Sequence, residues 1–368
     1  MRALLSVVGT RGDVQPVLAL ALEVRALGHE VRLCVPPNFV EWAERLGFAA
    51  TAVGIEMRSP KPGAPPIQIP DLIADQFDTI GAAARGCDVI LGANAHQHAA
   101  RSVAELRGVP YVNALYAPTS LPDDANTRIW NERSLERVNA NRVRLGLAPI
   151  ADLLRHVVTD APWLATDPTL DPAPSMHGKR LVQTGAWILD DSSPLPAHLL
   201  SFLDGGEPPI YLGFGSMPVA EGTSRKLVEA ARAVGRRAIV SKGWADLGLI
   251  DESPDCIAID DINQQALFRC VAAVVHHGGA GTTLTAARAA APQVVVPMFS
   301  DQPFWAGRVC DLGIGASVPI AALTTDALTS ALKSAFEPAT VERASSIAEK
   351  IVVDGARIAA RRLVDEVR

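Results

Sequence analysis

The 368-residue chain lacks any run of about 18 uninterrupted apolar residues, the length a membrane-spanning helix needs. It also lacks a C-x-x-C pair, since its five cysteines (Cys34, Cys87, Cys256, Cys270 and Cys310) are odd in number and scattered. That argues against a disulfide framework or a zinc site and points to reduced thiols in a cytoplasmic protein. No Asp-x-Asp occurs, so the sequence offers no paired carboxylates for a bridging metal ion, and none is expected. Positive charge is not in excess: 34 Lys and Arg stand against 40 Asp and Glu, a net charge of −6. A nucleic-acid footprint is thereby excluded as a leading idea. The opening Met-Arg-Ala-Leu-Leu-Ser-Val-Val resembles a signal-peptide start, but the run is short and Arg11-Gly12-Asp13 interrupts it. It reads as a first β-strand.

What is present is apolar material, 48% of residues, enough for two cores at this length. The most informative stretch spans 272–291, where the apolar Ala-Ala-Val-Val runs into His276-His277-Gly278-Gly279-Ala280-Gly281-Thr282-Thr283 and then an alanine-rich segment. Such a pattern predicts a buried parallel strand, a tight turn and a helix. Glycines there let backbone approach a ligand closely, and a helix start presents free N–H groups and a positive dipole end to an anion, most naturally a diphosphate. A plain reading stands beside it: a turn packed on the sheet with two satisfied histidines.

Elsewhere the chain alternates strand and helix patterns, with strands expected at 3–8, 31–35, 49–53 and 89–92 in the first part. This alternation predicts α/β doubly wound parallel sheets, whose ligands bind beyond the carboxyl ends of the strands. Gly9 to Gln15 is expected as a loop at that edge, with a helix starting near Pro16. A second such loop carries Asn94, His96 and His98. Residues 58–70, with five prolines, read either as a mobile loop near a substrate cleft or as an inert surface connection. The composition of 191–209 reads as a linker, dividing the chain into domains at 1–190 and 210–368.

The His276–Thr283 stretch, followed by Pro297-Met298-Phe299-Ser300-Asp301-Gln302, resembles the donor-binding signature of nucleotide-sugar glycosyltransferases built from two Rossmann-like domains. The likeness extends to Gly9-Thr10-Arg11-Gly12-Asp13, Gln183-Thr184-Gly185-Ala186-Trp187, Gly213-Phe214-Gly215-Ser216 and Gly243-Trp244-Ala245-Asp246. Among such enzymes the chain is most similar to the bacterial glycosyltransferases of glycopeptide antibiotics and their sterol-glycosylating relatives. The resemblance implies two Rossmann-like domains facing across a cleft. The N-terminal domain binds the acceptor, the C-terminal one binds the nucleotide-sugar, and the last helix can cross back onto the first domain.

The same resemblance implies roles for individual residues. Ser216, His277, Gly279, Ala280, Gly281, Thr282 and Thr283 would hold the donor diphosphate. Trp244 would stack on the nucleobase, with Ile262 and Gln264 at its edge and ribose; Asn263 stands where proline is frequent in the family. Asp301 and Gln302 would bind sugar hydroxyls, and Arg11 and Gly12 would belong to an acceptor-side loop. Plain readings remain open: a packing tryptophan at Trp244, an ordinary loop at Asp301-Gln302.

Transfer needs a base to take the acceptor's proton. Many relatives carry a histidine at the position of Arg11, which is no base at neutral pH. Asp13 is therefore the candidate base, its alternative being a helix cap or a partner of Arg11. His96 is in reserve, its alternative a satisfied surface histidine. The expected function is transfer of a sugar from a UDP- or TDP-sugar to a hydroxyl of a small natural-product acceptor, with inversion, without metal and without a bound cofactor. Two rivals remain: a nucleotide-sugar epimerase of the same architecture, and a catalytically inactive auxiliary member.

Overall fold

The computed structural model describes residues 1–57, 72–94, 96–172, 181–217, 219–244 and 247–367. The expected proline-rich loop at 58–70 and the Ala245-Asp246 pair beside Trp244 lie outside them. The chain divides into two compact units. The first comprises Met1–Pro168, Pro172–Leu189 and Val352–Arg368, and the second Thr169–Asp171 and Asp190–Ile351.

Among its described residues the first unit holds a parallel sheet of β1 (Arg2–Val7), β2 (Glu30–Val35), β3 (Ala49–Ala52), β4 (Val89–Ala93), β5 (Tyr111–Leu115), β6 (Trp163–Leu164) and β7 (Val182–Gln183). Their order is β3-β2-β1-β4-β5-β6-β7. The central strands β1 and β4 are Val-, Leu- and Ala-rich without alternation, as burial on both faces demands. Helix Arg11–Ala26 lays Val14, Val17, Leu18, Leu20, Ala21 and Val24 against the sheet. Each Val or Leu so buried contributes about 1.5–3 kcal/mol. Helix Gly355–Asp365 adds Ala356, Ala359, Ala360 and Leu363 to the same core.

The second unit repeats the plan with β8 (Ile210–Gly213), β9 (Ala238–Ser241), β10 (Cys256–Ile259), β11 (Ala273–His276), β12 (Gln293–Val295) and β13 (Gly315–Ser317), all parallel. Their order is β10-β9-β8-β11-β12-β13. Each order reverses direction once, between β1 and β4 and between β8 and β11. Those are the points where neighbouring strands send their connections to opposite faces and leave room for a ligand at the carboxyl edge.

Two local expectations need correction. The first helix begins at Arg11, five residues before Pro16, because Thr10 and Asp13 form a capping box at its start. Arg11 and Gly12 therefore lie in a helical turn, not a loop. Proline at 16 removes one helical hydrogen bond near the N-terminus, where Gly12 is exposed to water. Residues 191–209, read as a linker, pack in the second unit: Leu195, Leu199, Phe202 and Leu203 join Tyr211 and Phe268. Helical residues 124–144 come in three pieces, Asp124–Trp130, a π-helical turn Asn131–Leu135, and Glu136–Arg144.

Candidate active site

At the switch point of the second unit, four strand ends converge. Strand β11 delivers His276 and His277 as neighbours, and the pleat turns them to opposite sides. His276 is fully buried. Its Nδ1 accepts the Gly278 N–H at 3.1 Å, so the proton of the neutral ring sits on Nε2, which donates to Gln293 Oε1 at 2.9 Å. Burial holds this imidazole at a pKa of about 3. His276 thus ties the turn to β12 as a neutral strut. The doublet of histidines was the only sign of it in the sequence.

His277 faces the other way, toward the β8 loop. A Cβ placed on Gly279 would lie 2.5 Å from its Nε2, and one on Gly215 would lie 3.4 Å from its Cε1. Only glycine at 279 lets the ring stand over the turn. Its Nδ1 is buried without a partner among the described residues. Burial lowers its pKa to about 4, so at neutral pH the ring is uncharged and offers an anion one N–H, not a positive charge. Helix Ala280–Arg288 starts directly beneath, with Gly279 as its N-cap and no side chain capping it. Its first N–H groups and dipole point to the same place.

The neighbouring loops close around this start. After β8, Phe214 is buried while Gly215 and Ser216 are partly open. The Trp244 N–H donates to the Gly215 carbonyl at 2.7 Å, which locks the β9 loop to the β8 loop. Gly243 makes that possible: its φ is +52°, and a Cβ there would meet the Gly215 oxygen at 2.5 Å. Trp244 itself is half-buried. After β12, the Asp301 carboxylate accepts from Trp305 Nε1 at 2.9 Å, and burial raises its pKa.

Several residues named from the sequence are turned inward. Thr283 is 1% exposed and its hydroxyl donates to the Gly279 carbonyl at 3.0 Å, leaving Ala280, Gly281 and Thr282 as the open first turn. Gln302 is 4% exposed; its Oε1 accepts from Met298 N–H at 2.8 Å, and its Nε2 rests on Met217 Sδ at 3.3 Å. It braces the β12 loop against the β8 loop, and both ends of its amide are taken up by protein contacts. Gln264 donates to the Tyr211 hydroxyl at 3.1 Å, and Ile262 packs on the same core. Asn263, in the place of the frequent proline, caps helix Gln264–Leu267 and donates to the carbonyls of Asp191 and Ser193.

In the first unit the equivalent edge gathers Asp13 from the β1 helix and Asn94 from the β4 loop. Asp13 Oδ2 accepts from the Thr10 N–H at 2.7 Å and the Thr10 hydroxyl at 3.3 Å; Oδ1 accepts from Asn94 Nδ2 at 2.5 Å. Tyr116 donates to the Asp13 carbonyl at 3.0 Å. A Cβ on Gly9 would lie 2.2 Å from Oδ2, so glycine there admits the carboxylate. Burial raises the Asp13 pKa, against the opposing pull of the Asn94 and Thr10 hydrogen bonds and the His96 charge. Base and cap are therefore not exclusive: Oδ2 caps the helix while Oδ1 keeps an acceptor position. Arg11 lies over the Trp42 ring at 5.2 Å, where it makes a cation–π contact. His96 is open to solvent, though the protein around it lowers its pKa, and its ring rests on Trp130 at 5.3 Å.

Known proteins resemble this chain over its whole length. Residues 3–121 match the Glycosyltransferase family 28 N-terminal domain, and residues 225–357 match the Erythromycin biosynthesis protein CIII-like C-terminal domain. The chain is 43% identical to vancomycin aglycone glucosyltransferase of Amycolatopsis orientalis, over 100% of this chain and 98% of that one. It is 40% identical to dTDP-epi-vancosaminyltransferase of the same organism, over 94% and 93%. The crystal structure of the glycosyltransferase VinC in complex with dTDP has the same fold, with a TM-score of 0.73 at 22% identity over 100% and 99% of the two chains.

Proposed function

Because this chain belongs to the GT-B family of nucleotide-sugar glycosyltransferases, we propose that it moves a hexose from a UDP- or TDP-sugar to a hydroxyl of a small natural product, with inversion. The observation that carries the donor half is the meeting of Gly215, Trp244, His277 and the start of helix Ala280–Arg288 at one switch point. The diphosphate rests on the open N–H groups of Ala280, Gly281 and Thr282, with Ser216 and the His277 N–H beside it and Trp244 against the base. Asp301, fixed by Trp305, takes sugar hydroxyls. Asp13 accepts the acceptor's proton at Oδ1 while the acceptor's own oxygen bonds to the anomeric carbon. The carbon–phosphate-oxygen bond breaks, and its electron pair leaves on the nucleoside diphosphate. Charge developing there meets the helix end, which supports transfer without a divalent ion. Transfer, not epimerisation, is what the relatives' names support. Five free thiols suit a reducing cytoplasm.

Thermal-shift titration with UDP and TDP, then mass spectrometry of products from a panel of polyphenolic and polycyclic aglycones, tests this reading. A mass gain of one hexose on an aglycone is the expected result; donor consumption without an acceptor would favour the epimerase. Initial rates are expected to survive exhaustive chelation, and a rate restored only by Mg²⁺ or Mn²⁺ would refute the metal-free assignment. His277→Ala is expected to weaken nucleoside-diphosphate binding or turnover at least about tenfold, close to 1.4 kcal/mol. Unchanged affinity and rate in that variant would remove His277 from the site.

A further inference from the structure

We propose that Asn94 is a positioning residue for the transfer, its side-chain amide aiming the free acceptor position of Asp13 Oδ1 at the incoming hydroxyl. The inference rests on Asp13 being the base. Asn94 is not one of the residues that the family resemblance marks; the geometry singles it out.

Asn94 stands immediately beyond β4, and Asp13 beyond β1, on the two strands that flank the switch point of the first sheet. Their hydrogen bond, at 2.5 Å, crosses that point. Asn94 is itself held through both its backbone and its side chain. The Asn94 N–H donates to the Ala114 carbonyl at 2.6 Å, and its carbonyl accepts from Asn113 Nδ2 at 3.4 Å. The side-chain Oδ1 accepts the His96 N–H at 3.3 Å, so the NH₂ end faces a carboxylate that can only accept. Asn94 holds φ at +73°, a left-handed conformation that asparagine tolerates and most side chains resist. Backbone strain of this kind persists where surrounding structure enforces it, and it collects at functional sites.

The consequence for Asp13 is geometric. A carboxylate has about four acceptor positions. Thr10 occupies Oδ2 with its N–H and hydroxyl, and Asn94 occupies one position of Oδ1. Among the described residues, that leaves one position, on Oδ1, for an acceptor hydroxyl. Without the amide the carboxylate is held only on its capping side. The titratable groups facing it are His96 from the β4 loop and the Tyr116 hydroxyl from the end of β5. The amide's hydrogen bond also favours the charged carboxylate against burial.

Asn94→Gly tests this, since glycine accepts the positive φ without strain. Its kcat is expected to fall about tenfold at neutral pH, with the acid limb of the pH–rate profile moved upward by about one unit. UDP and TDP should bind as in the parent enzyme, because the donor residues lie elsewhere. Asn94→Asp is the second variant, keeping side-chain shape and φ preference. Two carboxyls sharing a site hold a proton, so its acid limb should move further upward. A parental kcat and acid limb in both variants, with Asp13→Asn inactive, would overturn the role of Asn94 alone. A parental rate in Asp13→Asn would overturn the Asp13 reading and this inference together.

Discussion

Replacing Asp13 by asparagine is expected to lower turnover by roughly 10²–10⁴-fold, the usual contribution of a positioned general base. Two sets of donors already point at this carboxylate, the Thr10 N–H and hydroxyl at Oδ2 and the Asn94 amide at Oδ1. An asparagine can accept only one of them through oxygen and must turn its own NH₂ toward the other. The melting temperature is therefore expected to fall slightly, and nucleoside-diphosphate affinity to stay unchanged, since the loops proposed to hold the donor all belong to the second unit. Loss of rate with donor binding retained and only a slight change in melting temperature separates proton transfer from capping. A rate near that of the parent enzyme would end the base assignment and direct the search to His96. In the parent enzyme, the rate should climb with pH through the Asp13 pKa, which burial has raised, because the base works only when deprotonated.

His276→Leu is expected to destabilise the second unit by about 2–5 kcal/mol. Leucine fills most of the ring's volume but accepts nothing from the Gly278 N–H and donates nothing to Gln293 Oε1, both buried. Each orphaned buried group costs about 1–3 kcal/mol. A loss of this size lowers the melting temperature of such a unit by roughly 4–20 °C. Donor binding should weaken with it, since the turn that His276 struts is the one proposed to carry the diphosphate. A melting temperature within a degree of the parent's would show that the buried ring is only a space filler.

What the sequence revealed, and what it did not, follows from how local each requirement is. The turn at His277–Gly281 was legible because a close backbone approach demands glycine at fixed offsets within a few residues. The doubly wound sheets were legible for a similar reason, since strands buried on both faces read as short continuous apolar runs. Side-chain direction was not. Thr282 and Thr283 are chemically alike, but helical phase turns only the second toward the Gly279 carbonyl. Gln302 faces inward because Met217, 85 residues earlier, gives its amide a place to rest. The segment at 191–209 has a linker's composition, yet Asn263 holds its carbonyls from 70 and 72 positions away. The helix start at Arg11 was hidden by Pro16, a familiar first-turn signal that was outweighed here by the Thr10–Asp13 box.

The assignment of helix Gly355–Asp365 to the first unit has a consequence for biosynthesis. Ala356, Ala359, Ala360 and Leu363 complete a core begun by β1 and helix Arg11–Ala26, and a Cβ on Gly355 would collide with the Ala186 carbonyl at 2.5 Å. All of Asp190–Ile351 is translated before that helix exists. On the ribosome, therefore, the second unit can close its core while the first is still missing a wall. The nascent first unit must wait with apolar surface of its earliest helix uncovered, open to chaperones, until translation supplies the last piece. Order of synthesis and order of completion run in opposite directions in this chain.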